Sequence, residues 1–134
     1  CFDIDAGAVA QGQELVNKLG MEASIEFIEA AGEEIDYSDY SLILVASLVS
    51  GKSDVLNRIH ATAPEAMVGV RSAEGLMTLL YEPVDINEMN SHGFTYCGMA
   101  PATAETINST CFFQGGAVLQ TNLKKPGASA LNVA

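Results

Sequence analysis

From Ser41 to Ala46 the chain reads Ser-Leu-Ile-Leu-Val-Ala, and from Met67 to Val70 it reads Met-Val-Gly-Val. Runs this apolar leave no face for water, which is the mark of buried strands in a parallel sheet covered on both sides. Between them, Lys52 to Thr62 carries Val55, Leu56 and Ile59 at helical spacing and closes on Ala63-Pro64. A strand, a helix and a strand in direct succession set the class as α/β.

The flanking segments extend the same alternation. Cys1 to Asp5 is an apolar run ending in acid. Asp5 then N-caps a helix over Ala6 to Leu19, with Val9, Leu15, Val16 and Leu19 as its buried stripe and Gly20 as its stop. Ser24 to Ala30 is strand-like, with Ile25 and Phe27 on one face, and Gly32 to Tyr40 is an acidic loop. After the strand at Met67 to Val70, which ends at Arg71-Ser72, Leu76 to Leu80 is a short helical turn and Pro83 leads into a loop. Phe94 to Met99 and Thr106 to Gln114 are two strands joined through Pro101, predicted to pair antiparallel. This order is the second half of a methyltransferase-like, doubly wound (Rossmann-like) α/β sheet. The first strand and its glycine-rich turn are expected upstream of Cys1, so residues 1–114 read as the C-terminal part of the domain and 115–134 as an extension.

The net charge of -11, from 17 acidic against 6 basic residues, provides no basic stripe to replace phosphate counterions and argues against a nucleic-acid partner. Cys1, Cys97 and Cys111 are an odd number without close spacing, so neither a disulfide framework nor a zinc knuckle fits and a reducing cytoplasm is expected. No apolar run approaches the ~20 residues that span a bilayer, so no membrane partner is expected.

Ligands of parallel α/β sheets sit at the carboxyl ends of the strands. Asp3, with Ile4 beside it, ends the first strand; its carboxylate suits the two hydroxyls of a nucleotide ribose, or a second capping role facing solvent. Ala30-Ala31-Gly32 is small enough to lie under an adenine. Ala46-Ser47-Leu48 allows backbone to approach a ligand and adds a hydroxyl, although a tight strand-to-helix turn explains the same residues. Gly51-Lys52-Ser53 is not a phosphate loop, because Ser47 stands where its earlier glycine is required. Arg71 emerges from a buried strand and needs a carboxylate, from a ligand or from Glu74 or Asp85; Tyr81 follows within reach of the same edge. His60, His92 and Cys97 show no metal-ligand spacing, and no metal site is expected. No nucleophile–base pair stands out. The residues alone reach an enzyme for an adenosine-type cofactor, with catalytic groups unassigned.

Phe2-Asp3-Ile4-Asp5, Leu44-Val45-Ala46-Ser47-Leu48-Val49, Val70-Arg71-Ser72-Ala73-Glu74-Gly75, Leu79-Leu80-Tyr81-Glu82-Pro83-Val84-Asp85, Gly93-Phe94 and Ile107-Asn108-Ser109 occur in this order. The set resembles the nicotianamine synthase family, including its bacterial opine-metallophore (staphylopine and pseudopaline type) branch. The resemblance implies a methyltransferase-like fold and S-adenosylmethionine as co-substrate. It also implies transfer of the 3-amino-3-carboxypropyl (aminobutanoyl) group to an amino-acid amine, histidine in the bacterial branch, with release of methylthioadenosine. It assigns Asp3 and Ile4 to the ribose end, Ala46, Ser47 and Leu48 to further cofactor contacts, and Arg71 and Tyr81 to the amino-acid moieties. A homodimer is compatible with it. The chain departs from the family where Gly32 or a neighbouring alanine replaces an acid after the third strand, and where Ala100-Pro101 replaces the His-Pro pair of plant members. A small-molecule methyltransferase and a non-catalytic module share the fold and are the alternatives.

Overall fold

The computed structural model describes residues 1–47, 49, 51–73, 75–80, 83–103 and 108–116. Strand β1 (Phe2–Asp3) runs into helix α1 (Ala6–Leu19), and β2 (Ile28–Glu29) lies parallel to β1 with Phe2 opposite Ile28 and Asp3 opposite Glu29. Asp5 caps α1 as its type predicts: one carboxylate oxygen accepts from the Gly7 and Ala8 N–H groups at 2.7 and 3.1 Å. At the other end Gly20 adopts the left-handed conformation at φ 66°. Its N–H donates to the Asn17 carbonyl and that of Met21 to the Val16 carbonyl, which closes the last turn.

The second sheet holds β3 (Leu42–Val45), β4 (Met67–Ser72), β5 (Phe94–Ala100) and β6 (Ser109–Gly115), in the order β3-β4-β6-β5. β3 and β4 are parallel. β6 runs antiparallel to both of its neighbours, so the expected antiparallel pair is present and its second strand inserts beside β4. Helix α2 (Lys52–Thr62) matches its predicted bounds. The fold is a mixed α/β sheet of the methyltransferase-like kind.

Four expectations need correction. β2 has two residues rather than the seven of Ser24 to Ala30, because β1 offers only two partners; Phe27 instead lies over Gly12 of α1, closer than a side-chain Cβ there would allow. Of the α1 stripe only Val16 is buried, while Leu15 and Leu19 are 57% and 62% exposed, since two short strands cannot cover that face. β4 ends at Arg71-Ser72 as expected, with Arg71 paired to Thr110. The segment after Pro83 contains helix α3 (Ile86–Ser91), whose start is capped by Asp85 accepting from the Asn87 N–H at 2.7 Å. Finally, among the described residues β3 is covered on one face only. Ile43 and Val45 join Val68, Val70, Phe94, Cys111 and Phe113 in a core lidded by Val55, Leu56 and Ile59 of α2 and Met89 of α3. Leu42 and Leu44 on the other face are 53% and 66% exposed. β6 ends at Gly115, and 117–134 lie outside the described residues.

The loop from Gly32 to Tyr40 opens with a single turn of 3-10 helix at Gly32–Glu34 and is pinned to α2. Arg58 Nε donates to the Ile35 carbonyl at 2.7 Å, the Tyr37 N–H donates to Thr62 Oγ1 at 3.1 Å, and the Tyr37 hydroxyl donates to the Gly32 carbonyl at 2.9 Å. Burial, aided by the Glu33 charge and opposed by Arg58, raises the Tyr37 phenol above its ordinary value. The unfolded chain therefore loses this proton first as pH rises. Stability should fall above about pH 10, and Tyr37→Phe should flatten that loss in denaturant titrations across alkaline pH.

The one-sided core yields a second expectation. Ile59 is fully buried, so Ile59→Ala should cost roughly 2–5 kcal/mol. Leu44→Ala, on the open face, should stay within about 0.5 kcal/mol. Urea unfolding of the 134-residue chain measures both.

Candidate active site

The carboxyl ends of β1, β3 and β4 carry the predicted site residues. Asp3 closes β1 with an exposed side chain, and one of its carboxylate oxygens accepts from the Asp5 N–H at 2.9 Å. The other oxygen has no hydrogen-bond partner among the described residues and remains available to a diol. Ile4 beside it is exposed. After β3, Ala46 is exposed and Ser47 half-buried. Leu48 and Tyr81 lie outside the described residues, as does Glu74.

Ser47 is drawn into a contact that the linear sequence does not announce. The Asn108 side-chain amide Nδ2, just before β6, donates to Ser47 Oγ at 3.0 Å. The antiparallel insertion of β6 beside β4 brings the start of β6 to the same edge as the end of β3. Arg71 shares this region: it lies on the open face with Leu44, by the alternation of the paired strands. Its Nε is sealed from solvent and has no hydrogen-bond partner among the described residues. The Asp85 carboxylate is engaged at the start of α3 and forms no ion pair with Arg71. Ser47, Arg71 and Asn108 thus gather at one edge, whereas no hydrogen bond among the described residues joins Asp3 or Ile4 to them.

Two serines here serve the fold. Ser72 Oγ accepts from the Val84 N–H at 3.0 Å and ties the segment after Pro83 back to β4. Fully buried Ser109 accepts through Oγ from the Ala102 N–H at 3.2 Å. Ser72→Ala should leave the Val84 N–H unpaired, lowering stability by about 1–3 kcal/mol. Hydrogen exchange at Val84 should quicken in the same variant.

The concavities of the surface do not mark the site by size. A cleft of about 210 Å³ between α2 and α3, lined by Lys52, Ser53, Pro83, Asp85 and Glu88 among others, is smaller than the ~300 Å³ at which ordinary ligand pockets begin. A shallower concavity of about 650 Å³ around His60, Pro64, Phe94 and Gly116 lies at the amino end of β4, opposite the strand ends where such sheets hold ligands. No cluster of His, Cys, Asp and Glu able to hold a metal occurs among the described residues. His92 instead shares a hydrogen bond with Asn57 Oδ1 at 2.7 Å. Among the described residues no helix is long and apolar enough to cross a membrane.

Parallel β3 and β4, antiparallel β6 inserted beside them, and polar residues collected at the carboxyl edge define a methyltransferase-like α/β domain. Residues 1–119 match the family model described as nicotianamine synthase protein, and the chain belongs to that family. Among solved structures, MtNAS in complex with MTA and tNA is 20% identical over 87% of this chain and 43% of its own, with a TM-score of 0.73. A mutant of MtNAS in complex with S-adenosylmethionine is 21% identical over 85% of this chain and 44% of its own, at 0.72. Magnesium protoporphyrin IX methyltransferase (ChlM) from Synechocystis PCC 6803 with bound SAH is 11% identical over 86% of this chain and 62% of its own, at 0.68. The chain therefore spans less than half the length of the MtNAS chains. No curated protein matches the sequence.

Proposed function

We propose that the protein takes part in S-adenosylmethionine-dependent transfer of the 3-amino-3-carboxypropyl group to an amino-acid amine, with release of methylthioadenosine. In the finer form of this reading the acceptor is histidine, the product an opine-metallophore intermediate and the setting the cytoplasm. The observation that carries the reading is the family match, which runs through every strand end where a ligand would lie. Neighbours whose structures hold S-adenosylmethionine, MTA or SAH support the choice of co-substrate.

The chemistry is a displacement at carbon. The lone pair of a neutral amine attacks the sulfonium-bound carbon of the aminocarboxypropyl chain, the carbon–sulfur bond breaks with its electrons passing to sulfur, and the amine proton passes to a base. All three carbons on the sulfonium are electrophilic, so the outcome depends on which one is held in line at about 3–3.5 Å. In this reading Asp3 accepts from the ribose hydroxyls, while Ile4, Ala46, Ser47 and Leu48 line the nucleoside end. Arg71 and Tyr81 face the amino-acid moieties. A base near neutral pH would serve the acceptor amine, and no described residue is assigned to that role.

The test uses the longest native polypeptide carrying this chain, with S-adenosylmethionine and histidine, read by mass spectrometry. Methylthioadenosine with an aminobutanoyl adduct of histidine is the expected result. S-adenosylhomocysteine would mean methyl transfer and would overturn the reading. Asp3→Ala should raise KM for S-adenosylmethionine about tenfold or more through loss of the ribose contacts, with a smaller change in kcat.

A further inference from the structure

Two buried polar atoms at the carboxyl edge have no hydrogen-bond partner among the described residues. Asn108 is 9% exposed, and its amide is fixed by the bond from Nδ2 to Ser47 Oγ. That leaves Oδ1 as a free acceptor, sealed from solvent and with no hydrogen-bond partner among the described residues. Arg71 Nε is a donor in the same condition. Leaving such groups unpaired costs free energy, and native structures satisfy nearly all of them. Arg71 stands opposite Thr110. Asn108, two residues earlier on that chain, is its diagonal neighbour at about 7–8 Å, within reach of a long side chain.

We infer that Asn108 and Arg71 form a subsite for an α-amino-acid head group, Asn108 Oδ1 accepting from the ammonium and the Arg71 guanidinium binding the carboxylate. The inference rests on the functional reading above and adds the residue that takes the ammonium. An acceptor and a cationic donor at the same edge of the sheet suit a zwitterion, with each pole meeting its complement. The amide matters here. Asn108 Oδ1 and Arg71 Nε are not bonded to each other, so both stay open to a ligand, whereas a carboxylate at position 108 would be drawn to Arg71. Ser47 holds the amide in register, so it acts as a positioning residue. The head group belongs either to the methionyl end of S-adenosylmethionine or to the acceptor amino acid.

The test measures binding by calorimetry on the same long polypeptide, with Asn108→Leu and Arg71→Met beside the wild type. The ligands are S-adenosylmethionine, its decarboxylated analogue, which keeps the amine, and methylthioadenosine, which lacks the head group. Asn108→Leu should weaken S-adenosylmethionine and the decarboxylated analogue about tenfold or more, and methylthioadenosine less than about twofold. Arg71→Met should weaken S-adenosylmethionine alone. Retained methylthioadenosine binding shows in each case that the variant is folded, and Arg71→Met carries the test if Asn108→Leu is not. Unchanged nucleoside binding with a tenfold rise in KM for histidine would assign the head group to the acceptor and support the subsite. Equal weakening of all three nucleosides, or no change in any nucleoside or in histidine, would overturn it. A wild type that binds no methylthioadenosine would overturn the functional reading, and the subsite with it.

Discussion

The placement of Asp3 depends on three aromatic rings. β1 and β2 are two residues each, and a ladder of that length has little stability of its own. Phe2 meets Tyr37 edge-on at 6.4 Å between centroids and Tyr40 at 5.8 Å, and the two tyrosines meet at 6.5 Å. Such contacts contribute roughly 0.5–1.5 kcal/mol each beyond the area they bury. Tyr37 is in turn fixed to α2 through Thr62, whose hydroxyl accepts the Tyr37 N–H and donates to the Arg58 carbonyl at 2.9 Å. The chain of contacts runs from α2 through the acidic loop to Phe2, and only then to the carboxylate one residue on. A segment with the composition of a connector thus sets where one half of the candidate site stands relative to the other.

The main sheet has a different logic on each face. On the covered face Val68, Phe94, Phe113 and Ile59 are essentially sealed, and this packing holds the strands together. On the open face, Gly69 lies beneath Leu44, and a Cβ at Gly69 would stand 2.6 Å from Leu44 Cδ2. Leu42, Leu44 and Met67 line that face without cover among the described residues. Arg71 is at its carboxyl end. The rigid face therefore supports the strands, and the open face presents the polar groups that the proposed chemistry uses.

What could be read from the sequence was local. Asp5 and Gly20 announced the ends of α1, and the spacing of Val55, Leu56 and Ile59 placed α2, because caps and periodicity act over a few residues. What failed was decided elsewhere in the chain. Leu42 and Leu44 read as buried because an apolar run looks the same whether or not a second layer covers it. Helix α3 escaped because Asn87, Glu88, Asn90 and Ser91 leave Met89 as its one buried residue, which gives no stripe. The end of β4 at Arg71-Ser72 was legible, but nothing local shows that Thr110 pairs with Arg71. Asp3, Ala46, Ser47 and Arg71 could be singled out because strand ends can be located by pattern. Asn108 appeared only within a family motif, since its burial depends on which strand lies beside it.

That dependence explains why an antiparallel strand belongs in such a site. In a wholly parallel sheet every strand delivers its last residues to the ligand edge, and those residues also begin a loop or cap a helix. β6 runs the other way, so it delivers its first residues to that edge. Asn108 is thereby placed before a strand that from Thr110 to Gln114 is clamped between β4 and β5. A side chain at the start of a strand held on both sides is positioned more firmly than one in a loop, and rigid placement is what a head-group contact requires. The bond from Asn108 to Ser47 spans the end of β4 and links the start of β6 to the end of β3. Substitutions that loosen β6, such as shortening Phe113 in the core, should therefore weaken the proposed head-group contact at Asn108 without touching it.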